Sequence, residues 1–134
     1  MRRIIATLFA TLVLSALPAC ASLRDYRPES PREALASAEV MLAGAITAAT
    51  QLRNAGMLTQ TEAVQVGYAL QHANTALGKA QAVLFTAESG AAEIREAQAQ
   101  IRAAVDILSN LAVILRGAAE QAGAAPPLRA LEVQ

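Results

Sequence analysis

The chain has 134 residues, with 11 Lys+Arg against 11 Asp+Glu, so its formal net charge is zero. About a quarter of it is alanine, aromatics make up 3%, and it holds one histidine, one cysteine and no tryptophan. This composition excludes a strongly basic nucleic-acid binder, a disulfide-stapled scaffold and a zinc site built from histidine and cysteine alone.

The chain opens with Met1-Arg2-Arg3, a short basic segment, followed by Ile4 to Leu17, an uncharged and mostly apolar run of 14 residues. A membrane-spanning helix needs about 20 apolar residues. This run is shorter and fits a secretory signal peptide. The next residues, Leu17-Pro18-Ala19-Cys20, hold the chain's only cysteine. They resemble the lipobox of bacterial lipoproteins, with Pro18 standing where a small or aliphatic residue is usual. The resemblance implies that the Cys20 thiol forms a thioether to diacylglycerol. Cleavage before Cys20 then frees its amine for a further acyl chain. Two or more acyl chains anchor stably, whereas one holds only marginally. Ala21 rather than aspartate follows the cysteine, which by the same resemblance implies the periplasmic face of the outer membrane. A rival reading takes Ala19-Cys20-Ala21 as an A-x-A site. Signal peptidase I would then cut after Ala21 and release a soluble periplasmic protein.

In the lipobox reading, residues 1–19 are the signal peptide and residues 20–29 are the lipidated cysteine and a tether. Residues 30–122 form the folded domain, and residues 123–134 form a flexible tail. The mature chain is 115 residues with nine basic and eleven acidic groups, a net −2. That is enough chain for one small domain. Its basic residues are scattered, which argues against nucleic acid and against a basic patch for anionic lipid.

Three helices are predicted. Ser30-Pro31-Arg32-Glu33 is a helix start, with Ser30 as cap, proline at the first helical position and Glu33 completing a capping box. The first helix runs to about Ala55, and Gly56 stops it. Its apolar seam is Leu35, Ala38, Leu42, Ala45, Ala49 and Leu52, with Ile46 beside it. Steps of three and four suit a helix bundle. Thr59-Gln60-Thr61-Glu62 is a second capping box and opens a helix from Gln60 to about Ala87. The seam there is Ala63, Val66, Leu70, Ala73, Leu77, Ala80 and Leu84. Ser89-Gly90 marks the next turn. The third helix runs from about Ala91 to Gln121 and is ended by Gly123 and Pro126-Pro127. Its seam is Ile94, Ala97, Ile101, Ala104, Leu108, Leu111, Leu115 and Ala118. Short loops make neighbours antiparallel, so the expected fold is all-α, an up-down-up three-helix bundle after a cleaved signal peptide.

Catalytic residues are not expected. His72 is in register with Gln65 and Lys79 on a polar face and has no companion ligands, whereas zinc needs three or four. Glu33 and Glu62 are assigned to caps, and Glu93 and Glu96 fall in a first turn, where they favour the helix dipole. Glu39, Glu88, Asp106 and Glu120 mostly face outward. No nucleophile elbow or phosphate loop is present. The expectation is a non-enzyme with no metal, no cofactor beyond the diacylglycerol and N-acyl lipid on Cys20, and no evident small-molecule substrate. Gly44, Gly67 and Gly78 lie inside predicted helices. They imply close helix contact or a kink, or else a smooth surface for a partner helix. The widest apolar face belongs to the third helix. Ile107 and Ile114 flank its seam and Val113 points further out. These three are the candidate interaction face, for a protein partner or a second copy, unless the helix is simply the best buried.

Pro31-Arg32-Glu33 opening one helix, then Ala55-Gly56-Met57-Leu58-Thr59 and Glu62-Ala63 opening another, resembles small helical lipoproteins of phage and prophage genomes. The resemblance implies a membrane-anchored interaction or structural module with a role at the host envelope, such as lysis support or exclusion of competing phage.

Overall fold

A computed structural model describes residues 30–86 and 88–124. The expected signal segment, Cys20, the expected tether through Glu29 and the expected tail beyond Ala124 lie outside the described residues. Three helices make up nearly all of the rest: α1 (Pro31–Asn54), α2 (Gln60–Leu84) and α3 (Ala91–Ala124). Each packs against the other two, α2 and α3 most extensively. There is no strand among the described residues.

The helix starts follow from local chemistry. The Ser30 hydroxyl accepts from the Glu33 N–H at 3.2 Å, and the Ser30 N–H donates to the Glu33 carboxylate at 3.2 Å. Thr59 and Glu62 repeat the arrangement at α2, with N–H to carboxylate 2.8 Å and N–H to hydroxyl 3.2 Å. Each box satisfies donors that the first helical turn leaves without intrahelical partners. The end of α1 is equally local. Gly56 has φ +68°, its N–H donates to the Arg53 carbonyl at 3.0 Å, and the Met57 N–H reaches the Leu52 carbonyl at 2.9 Å. This Schellman closure needs the left-handed conformation that glycine adopts without Cβ strain.

The other two ends differ from the sequence-based expectation. Helix α2 stops at Leu84, three residues before Ala87. The Thr86 hydroxyl donates to the Ala82 carbonyl, and the Ser89 hydroxyl donates to the Val83 carbonyl at 2.6 Å. These side chains take the last carbonyls and make further helical turns unnecessary. Helix α3 continues through Gly123 to Ala124. Gly123 has no positive φ, so it sits inside the helix rather than ending it. The domain therefore reaches Ala124, two residues into the segment expected to be a tail.

The core is thin. Among the described residues, half of the buried apolar side chains are alanine, and Leu52, Leu108, Leu111 and Leu115 are the largest that are fully enclosed. All six seam residues of α1 are buried, together with Met41 and Ala48. Ile46, expected beside the seam, is instead 46% exposed. The neighbouring helices cover the Met41 flank and leave the Ile46 flank open. In α2 the seam holds from Val66 onward, with Ala63 and Leu70 only partly covered, and Ala76 joins it. In α3 the seam is buried from Ala97 to Ala118, with Ile94 partly covered. Close helix contact at the interior glycines is not found. A Cβ placed at Gly44, Gly67 or Gly78 would meet nothing within 4 Å, and all three are exposed.

Candidate functional site

The structure separates the three residues of the candidate face. Val113 is 68% exposed and Ile114 47%, whereas Ile107 is partly buried and packs against the core. Asp106 and Glu120 stand one heptad either side of Val113 on the same line of the helix, and both are exposed. Val113 is therefore a single apolar residue between two acids, and isolated surface apolar residues are ordinary. Ile107 is the most covered of the three, and Val113 and Ile114 form the more open part of the face.

Other exposed apolar side chains were not singled out from the sequence: Val40, Val64, Tyr68 and Phe85. Phe85 has a local role. The Arg32 guanidinium lies 5.2 Å from its ring centroid, within cation–π range, and donates to the Leu84 carbonyl at 3.1 Å. Arg32 thus ties the start of α1 to the end of α2, across 52 residues of sequence, and supplies a cation at a helix C-terminus.

The polar groups do not converge. His72 is exposed on α2, as its register implies. No group of three or more His, Cys, Asp or Glu is placed to share a metal ion among the described residues. No buried side-chain polar atom lacks a hydrogen-bond partner there either. Glu62 is the one carboxylate with a resolved shift. The hydrogen bond from the Thr59 backbone N–H, then that from the Thr59 hydroxyl, hold it below the usual carboxylate range.

That shift predicts a pH dependence. The folded value lies below the unfolded one, so the cap's contribution is complete above the ordinary glutamate range. It is lost as pH falls through the lowered value. In an NMR titration, the Thr59 amide and the Glu62 carboxyl should move together in acid, at a pH below the ordinary glutamate range. Glu62→Gln should remove the Thr59 response.

Helix α1 differs in composition from the other two. It is long and apolar enough to cross a membrane by length and composition, and 44% of its most apolar 18-residue window is buried inside the fold. Residues 40–52 carry no charge, although Val40, Ala43, Gly44, Ile46, Thr47 and Thr50 are exposed. Both hydroxyls turn back on the helix, Thr47 to the Ala43 carbonyl at 3.0 Å and Thr50 to the Ile46 carbonyl at 2.8 Å. No protein-family model matches the chain, and no curated protein or solved structure shows significant similarity to it.

Proposed function

We propose that the chain is a non-enzymatic lipoprotein, held at the periplasmic face of the outer membrane by lipid on Cys20. The domain it presents there is an interaction or structural module. The observation that carries this reading is the order of the first twenty residues: a basic start, an uncharged apolar run, then Leu17-Pro18-Ala19-Cys20 with the chain's only thiol. A thiol is the nucleophile that lipid attachment requires. The proposed arrangement of the domain is up-down-up. The contact of Arg32 with Leu84 and Phe85 supports it, because it brings the first turn of α1 to the last turn of α2. The resemblance to small phage-type lipoproteins supports an envelope role.

The test is metabolic labelling with palmitate, comparing wild type with Cys20→Ala and fractionating the envelope. The expected outcome is label on wild type alone, in the outer-membrane fraction, with loss of membrane retention on substitution. Unlabelled soluble protein beginning at Ser22 would establish the rival reading, a diffusible periplasmic binding or inhibitor module.

A further inference from the structure

We infer that the open face of α1 is a self-association surface on which two copies of the chain pair antiparallel. Ala36, Glu39, Ala43, Ile46, Thr50 and Arg53 are all exposed and follow one another at steps of three, four, three, four and three. That is the spacing of a second helix-pairing seam, set beside the one that faces the core. The inference does not depend on the lipid anchor.

The order of residues along this seam selects both the partner and the direction. Glu39 stands near its start and Arg53 at its end, with no charge between them. Neither side chain makes an ion pair or hydrogen bond to another described residue. Reversing a second copy sets Ala36 opposite Arg53, Glu39 opposite Thr50 and Ala43 opposite Ile46. Every such pair joins a small residue to a larger one. Glu39 then lies one helical turn from Arg53 of the second copy, within reach of an ion pair. Symmetry repeats that pair at the other end, as a two-fold interface requires. A parallel arrangement would set Glu39 against Glu39 and Arg53 against Arg53, and like charges oppose pairing. The threonine hydroxyls add little burial cost, because Thr50 and Thr47 already donate to backbone carbonyls of α1.

Charge exchange tests this in the full chain, by sedimentation velocity in a non-ionic detergent. Wild type should dimerise with concentration. Glu39→Arg and Arg53→Glu should each weaken dimerisation by about tenfold or more, since each turns two attractions into two repulsions. The double variant should recover it, and an equimolar mixture of the two single variants should form a heterodimer. All sites are exposed, so circular dichroism should show unchanged helix content. A wild type that stays monomeric would overturn the inference, as would reversals without effect or a double variant no better than the singles. If the Cys20→Ala chain floats with phospholipid vesicles, Ile46→Glu abolishes that flotation and self-association is absent, the face belongs to the bilayer instead.

Discussion

Leu111→Ala is expected to destabilise the domain by about 3–4 kcal/mol, in the upper part of the range for leucine-to-alanine changes in cores. Leu111 is 1% exposed and belongs to the main buried cluster. The cost of such a cavity depends on how far its surroundings collapse into it. Large side chains can rotate into a void, but a methyl group has no rotamers with which to do so. In this core every second buried side chain is an alanine, so little local repacking is available. Relief would require whole helices to shift, against the packing of α2 on α3. A domain of this size is stable by only about 5–10 kcal/mol, so the change removes a large share. Urea unfolding followed at 222 nm should show a lower midpoint with an unchanged slope. Val113→Ala is the control, since Val113 is 68% exposed and should move stability by less than about 0.5 kcal/mol. A loss below about 2 kcal/mol at Leu111 would mean that the helices close the gap and that the core is more deformable than its composition implies.

The sequence is most readable where structure is decided locally. Ser30 with Glu33 and Thr59 with Glu62 form the boxes their spacing implies, and Gly56 ends α1 as expected. The seams are also readable, because period alone identifies the axis of the buried stripe. Period does not say which flank of the stripe a neighbour will cover. That is why Met41 and Ala48 are enclosed while Ile46 is open. The same ambiguity separates Ile107 from Ile114, which share a line on α3 but differ in burial. Helix ends set by side chains reaching back to carbonyls, as Ser89 does at α2, leave only a weak sequence signal. The uncharged open face of α1 is hard to read from sequence for a related reason. Alanines and back-bonded threonines on α1 do not register as an apolar patch until their exposure is known.

The proposed anchor and the α1 pairing constrain each other. Antiparallel pairing places the two α1 N-termini at opposite ends of a helix about 36 Å long, from 24 residues at about 1.5 Å each. If both copies are lipidated at Cys20 in one bilayer, both N-termini must stay within tether reach of its surface. From Cys20 to Pro31 the chain spans at most about 36–40 Å when fully extended. Paired bundles standing upright would need one tether stretched to about that limit. Bundles lying along the membrane, with the α1 seam parallel to its plane, need no such stretch.

Combining Gly44→Ala, Gly67→Ala and Gly78→Ala is expected to raise stability by about 2 kcal/mol. An exposed glycine inside a helix costs about 0.5–1 kcal/mol relative to alanine, chiefly through the freedom it retains when unfolded. None of the three has a positive φ, and an added Cβ would meet nothing within 4 Å. The sites lie on two helices, and Gly67 and Gly78 are about 16 Å apart along α2, so the increments should add. The corresponding rise in Tm is about 10 °C, readable by thermal circular dichroism. No gain would mean that these segments are not the open helices described. The same variants separate an internal role for the glycines from an external one. In an α1 pair seamed on Ala43 and Ile46, a methyl at Gly44 lies off the seam. The triple variant should therefore keep wild-type self-association while gaining stability. If the triple variant no longer dimerises and Gly44→Ala alone reproduces the loss, a second copy approaches α1 on its Gly44 side, and the pairing seam shifts toward that glycine.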